Sequence, residues 1–211
     1  MGTGRGEAKM TIQNVVFDIG NVLLRWEPQE IVQAHFSDEP FPQELTAKIF
    51  KSPIWYDLNL GKLTEKEAIQ LYSQQLAIPV AKLEMLMADI KESLTPIDGS
   101  LEFLDELHAQ GTPLYSITDN VKEIMKFLKA QYSFFHKFSG IAVSAEIGVL
   151  KPSALIYQHL IDSYHLIPQE TVFIDDLAKN VQGAQDIGLQ GIHFTNAAHC
   201  RMELQRLGVL A

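Results

Sequence analysis

Five short apolar runs, each too brief for a helix and each followed by residues at helical spacing, constrain this chain more than any other feature. They are Val15-Val16-Phe17, Leu114 to Thr118, Ile141 to Ser144, Thr171 to Asp175 and Gly191 to Phe194. The first is β-branched and aromatic without alternation, as expected of a strand covered on both faces in the middle of a parallel sheet. Before, between and after the others, helical patterns run over Leu101 to His108, Val121 to Tyr132, Ser153 to Tyr164 and Ala198 to Leu207. Gly111-Thr112-Pro113 stops the first of these. Such alternation predicts an α/β fold: a Rossmann-like parallel sheet with right-handed crossovers and helices on both faces.

One segment departs from the rhythm. From Pro28 to about Leu94 nothing reads as a buried strand. Ile31 to Phe36 and Leu45 to Phe50 have helical spacing, with Ser37-Asp38-Glu39-Pro40 breaking the chain between them. Thr64-Glu65-Lys66-Glu67 predicts a capping box opening a helix through Leu76, and Val80 to Ser93 forms another. The division is therefore a core of residues 12–27 and 95–211 with an all-helical cap inserted at 28–94, placed to cover the carboxyl edge of the sheet. Residues 1–11 read as a frayed tail or an expression scar, with Met10 a second possible start. The spaced glycines of Gly2-Thr3-Gly4-Arg5-Gly6 precede the first strand instead of following one, so they do not form a dinucleotide loop.

Composition narrows the setting. The 211 residues are 46% hydrophobic and 20% charged, with 17 Lys and Arg against 26 Asp and Glu, a formal charge of −9. That balance, without a basic cluster, speaks against a nucleic-acid partner. No apolar run approaches the roughly 20 residues that span a bilayer, so no membrane partner is expected. The single cysteine, Cys200, fits a reducing compartment, and a cytoplasmic setting is expected. The seven histidines lack paired metal spacing.

The predicted strands carry polar groups to one edge. Asp18 ends the first, Thr118-Asp119-Asn120 the second and Asp175-Asp176 the fourth, while Lys151 lies in the loop after the third. In open α/β sheets the carboxyl edge is where ligands bind. Singly, each acid also reads as a cap for the following turn or helix. Together, converging carboxylates repel one another, and a hard divalent ion such as Mg²⁺ suits an all-oxygen set. Lys151 supplies charge for a dianionic phosphate. An Asp so flanked can attack phosphorus, which makes phosphoryl transfer the chemistry the pattern suggests.

These residues carry a resemblance. Phe17-Asp18-Ile19-Gly20-Asn21-Val22, Ile117-Thr118-Asp119-Asn120, Gly148-Val149-Leu150-Lys151-Pro152 and Phe173-Ile174-Asp175-Asp176 are similar, in order, to the four motifs of the haloacid dehalogenase superfamily. The likeness covers nearly everything from Ile12 onward and is strongest to phosphatases with a helical cap after the first strand. Trp55 to Glu67 resembles the cap of bacterial sugar-phosphate phosphatases, such as those acting on α-glucose 1-phosphate. The resemblance implies that Asp18 is the nucleophile, that Thr118 hydrogen-bonds the transferring phosphoryl group and that Lys151 orients both. It implies Mg²⁺ held by Asp18, Asp176 and the Gly20 carbonyl, with Asp175 assisting, and Gly20, Asn21, Asp119 and Asn120 about the phosphate or substrate. A small phosphorylated metabolite, a sugar phosphate first, would be the partner.

One position departs from that pattern. Where most such phosphatases carry a second Asp two residues after the nucleophile, to protonate the leaving oxygen, this chain has Gly20. Two other readings therefore stay open: a dehalogenase-type hydrolase with Asp18 attacking carbon, and a catalytically weakened protein that binds phosphate. The paired Asp175-Asp176 argues against the first, because dehalogenases of the superfamily work without metal.

Overall fold

The computed structural model describes residues 11–38 and 42–210. The glycine-spaced opening, nearly all of the predicted tail and the Glu39-Pro40 part of the first cap break lie outside these residues. Five parallel strands, β1 (Asn14–Phe17), β2 (Leu114–Thr118), β3 (Phe138–Val143), β4 (Thr171–Asp175) and β5 (Gln190–His193), form one sheet in the order β3-β2-β1-β4-β5. β1 is central, pairing Val15 with Leu114 on one side and with Val172 on the other.

Both faces of the sheet are covered, which explains the unalternating run in β1. Val15 and Phe17 join the larger apolar cluster on one face, whereas Val16 joins a second cluster with Ile117, Tyr157, Leu160 and Phe173 on the other. The core helices are α6 (Ser100–Ala109), α7 (Lys122–Gln131), a single turn α8 (Ser144–Ile147), α9 (Ala154–Tyr164), α10 (Ala178–Gln185) and α11 (Ala197–Arg206). Between β1 and α6 come α1 (Pro28–His35), α2 (Pro42–Phe50), α3 (Pro53–Asn59), α4 (Glu65–Leu76) and α5 (Val80–Ser93), with no strand among the described residues of that stretch.

Local chemistry accounts for several boundaries. Thr64 Oγ1 accepts from Glu67 N at 3.3 Å, and the Glu67 carboxylate accepts from Thr64 N at 2.8 Å, the reciprocal capping box predicted for α4. Sequence reasoning did not find α3, whose Ser52 cap accepts from Trp55 N and whose Pro53 occupies the first turn. β3 begins three residues before the expected Ile141. Gly140 within it marks a close approach: a Cβ there would meet the Tyr164 ring at 2.0 Å.

The helical segment between β1 and α6 is hydrogen-bonded to the rest of the fold at several places. Ser144 Oγ donates to the Asn59 carbonyl at 2.8 Å, and Glu65 N donates to Glu123 of α7 at 3.2 Å. Gly61, just past α3, has φ +68 and lies so close to Ala145 that an added Cβ would be 1.9 Å from its carbonyl oxygen.

Candidate active site

β1, β2 and β4 lie side by side, so residues at their carboxyl ends are neighbours. Asp18 extends the pairing of β1, donating its N–H to the Ile174 carbonyl at 2.9 Å. Its Oδ1 accepts from Ile19 N at 2.7 Å and meets Lys151 Nζ at 2.9 Å. Lys151 Nζ also pairs with Asp175 Oδ2 at 2.7 Å, and its side chain is 2% exposed. Carboxylate oxygens of Asp18, Asp175 and Asp176 all lie within 4.8 Å of one another.

The N-cap of α7 is Val121, with no side-chain cap bond from Thr118 or Asp119. Asp119 Oδ1 instead accepts from Lys151 N at 3.0 Å, joining the loops after β2 and β3. Asp175 does serve its own turn, accepting from Leu177 N at 2.8 Å, and it also takes both hydrogen bonds of the Asn180 amide at 3.0 and 3.1 Å. Fully buried and bonded by Lys151, Asn180 and Leu177, Asp175 is better placed to support the site than to reach into it. Asp176 is only partly buried and takes a hydrogen bond from Asn21.

The loop after β1 turns at Asn21 and not at Gly20. Asn21 has φ 53, a left-handed conformation that Asn tolerates better than most residues, and its Oδ1 accepts from Trp26 N at 2.9 Å. Asn120 N donates to Ser144 Oγ at 3.0 Å, so Ser144 links the loop after β2 to the cap. Nothing in the sequence distinguished Ser144 from an ordinary strand-end serine. Asn180 was visible as a polar residue five positions beyond Asp175, but its bond to both carboxylate oxygens was not.

These groups form the floor of a cavity of about 450 Å³ whose lining includes Asp18, Gly20, Asn21, Asp119, Asn120, Lys151 and Asp176. Thr118 is buried at the end of β2 and is not part of that lining. The upper walls come largely from the segment 26–94, with Trp26, Phe50, Trp55 and Tyr56 prominent.

The floor holds excess negative charge. Burial, with Asp175 and Asp176 adding, pushes Asp18 up to about 8 against the pull of Lys151. Burial likewise raises Asp119 and Asp176. Burial opposes charge on Lys151, yet Asp18, Asp175 and Asp119 outweigh it and keep the ammonium above the ordinary lysine range. Several carboxylates thus share one buried cation. A cluster of oxygen donors this tight, still short of positive charge, fits a hard divalent ion.

A model for hydrolases described as haloacid dehalogenase-like matches residues 12–188. Over 197 residues the chain is 27% identical to a sesquiterpene phosphatase of Aspergillus oryzae, covering 93% of this chain and 97% of that protein. It is 24% identical to a D-ribitol-5-phosphate phosphatase of Bacteroides thetaiotaomicron, covering 92% and 97%. Among solved structures, the magnesium complex of a HAD family enzyme from Bacteroides thetaiotaomicron superposes with a TM-score of 0.75 at 20% identity, covering 92% of this chain and 98% of that one. At that identity the structural likeness is one of fold.

Proposed function

Because this chain belongs to the haloacid dehalogenase-like hydrolases, we propose that it is a cytoplasmic, Mg²⁺-dependent phosphatase that hydrolyses a small phosphorylated metabolite through an aspartyl phosphate on Asp18. The observation that carries this reading is the seating of Asp18. It stands on the cavity floor with Ile19 N and Lys151 Nζ both on Oδ1, which leaves Oδ2 to attack phosphorus.

Oδ2 forms a bond to phosphorus as the ester oxygen departs with the bonding electrons and takes a proton from solvent. Water then attacks the aspartyl phosphate, releasing inorganic phosphate and restoring the carboxylate. Lys151 neutralises charge on the phosphoryl oxygens and, through its backbone bond to Asp119, fixes the loops after β2 and β3 together. The Asp119-Asn120 loop supplies the remaining groups on the floor to hold the phosphoryl oxygens, with Thr118 buried directly behind it at the end of β2. Asp18, Asp176 and the Gly20 carbonyl would hold Mg²⁺, with Asp175 behind them. When bound, that ion supplies positive charge where negative charge develops in phosphoryl transfer.

The relatives support the phosphate more than any one organic group, since one is named for a sesquiterpene and another for ribitol 5-phosphate. On sequence alone a sugar phosphate leads. Phosphate release from a panel of monoesters, with Mg²⁺ and with chelator, tests the reading alongside Asp18→Asn, which keeps size and removes the attacking charge. Turnover is expected with metal only and is expected to vanish in the variant. Wild-type activity in Asp18→Asn, or halide release from 2-haloacids in place of phosphate release, would overturn it.

A further inference from the structure

Resting on the phosphatase reading, we propose that the organic group this cavity selects is an apolar, ring-sized hydrocarbon, aryl or terpenoid, in preference to a polyol. Floor and wall differ in chemistry. Above the acids, Trp26 and Trp55 lie nearly parallel, 9° apart with ring centroids at 5.9 Å. Phe50 packs edge-on against both, at 5.3 and 4.8 Å. Such a block is rigid, so it presents apolar area at little cost in ordering. Tyr56 and Leu177 also line the cavity and stay 55% and 45% exposed, apolar surface that a bound hydrocarbon would cover.

Several polar side chains around the wall are already committed to the backbone of the aromatic residues. Ser52 Oγ accepts from Trp55 N at 3.1 Å and donates to the Ile49 carbonyl. Asn59 Nδ2 donates to the Trp55 carbonyl at 2.9 Å, and Asn21 Oδ1 accepts from Trp26 N. These bonds fix the backbone that carries the indoles and use up some of the groups that a sugar's hydroxyls would need. Lys51, the Tyr56 hydroxyl, the Asn59 amide oxygen and the indole N–H groups of Trp26 and Trp55 are left on that wall to meet polar substituents. A polyol stripped of water against the aromatic faces themselves would leave hydroxyls without partners there, which is unfavourable. The volume of about 450 Å³ lies within the range that encloses drug-sized ligands.

The test compares 3-phenylpropyl phosphate with ribitol 5-phosphate. Both are esters of primary alcohols, but the neighbouring hydroxyl makes ribitol's oxygen the better leaving group, so an excess for the phenylpropyl ester comes from the wall and KM is the direct measure of it. Acetyl phosphate, too small to span the cavity, reports on the floor. With Mg²⁺, kcat/KM is expected to be at least about 10-fold higher for the phenylpropyl ester, mainly through KM. Trp55→Ala is expected to bring the ratio toward one. Tyr56→Ser, at an exposed position that puts the fold at little risk, is expected to lower it about threefold. Turnover of acetyl phosphate with a KM for the phenylpropyl ester no lower than that for ribitol 5-phosphate overturns the proposal and leaves the phosphatase reading standing. Failure to turn over any of the three overturns both.

Discussion

Gly20→Asp puts a carboxylic acid at the position where this chain departs from its family. The backbone accepts it: Gly20 is not among the positive-φ glycines, and an added Cβ meets only Trp26 Cβ, at 3.8 Å, ordinary contact. The new carboxyl would stand beside a floor that already holds Asp18, Asp119 and Asp176. The burial and neighbouring charge that raise those groups would raise it too, favouring the protonated form that a general acid needs. A well-placed general acid contributes about 10²- to 10⁴-fold, or roughly 3–5.5 kcal/mol of barrier. If imperfect placement forfeits nine-tenths of that, about 10- to 10³-fold remains. The assay is single-turnover phosphorylation of Asp18 across esters of graded leaving-group pKa. Wild type is expected to show a steep dependence, since the departing oxygen must carry its charge unaided. The variant is expected to flatten it, speeding alkyl esters at least about 10-fold and aryl esters little. Because protonation activates the new group, the gain should be full below its pKa and fade as pH rises through it. A flat wild-type dependence with chemistry rate-limiting, or equal acceleration of alkyl and aryl esters, would refute the reasoning.

Lys151→Met leaves Asp18 and Asp175 buried without their cation, which should cost about 3–5 kcal/mol and lower Tm by roughly 6–20 °C; a drop of under 2 °C in a thermal melt would mean that the acids share a proton instead. Asp176→Asn should raise the Mg²⁺ concentration for half-maximal turnover at least about 10-fold, with rate recovered at high metal, and a rate lost at all metal concentrations would give Asp176 another role. Gly61→Ala combines a left-handed backbone, worth about 1–2 kcal/mol, with a clash against the Ala145 carbonyl, so denaturant unfolding should show a loss above 2 kcal/mol; wild-type stability would contradict the contact. Cys200 is buried, and burial, with Glu203 adding, pushes its thiol up to about 12. Iodoacetamide at pH 8 should therefore label it only in denaturant, as mass spectrometry will show.

The core was legible because its strands are buried on both faces and so announce themselves without alternation: β2 and β4 fall where Leu114 to Thr118 and Thr171 to Asp175 were read. The acids at their ends were legible for the same reason, since an apolar run stops where its polar residue begins. What stayed hidden depends on contacts between distant segments. The first half of β3 was missed because the sequence neighbourhood cannot reveal Tyr164 lying across Gly140. Pro53–Asn59 did not read as a helix, being only two turns long with Ile54, Leu58 and Asn59 buried against neighbours from other segments. Asn180 and Ser144 act on groups that topology alone brings near. Trp26 and Trp55 were visible as aromatics, but their stacking, 29 positions apart in the chain, was not.

The strand order has a consequence for motion. Asp18 and the two acids of the fourth motif follow β1 and β4, and Asp119 follows β2, each a strand bonded on both sides; the edge strands β3 and β5 deliver none of them. Amides of such central strands exchange with solvent only when the sheet itself opens, whereas helices held by fewer ties exchange through smaller, cheaper openings. Deuterium uptake should therefore be slowest at Val15 to Phe17 and Phe173 to Ile174, and faster over Pro42–Phe50 and Pro53–Asn59. Breathing of the wall that admits a substrate then leaves the spacing of the carboxylates undisturbed, because the two belong to different layers of the molecule's exchange hierarchy.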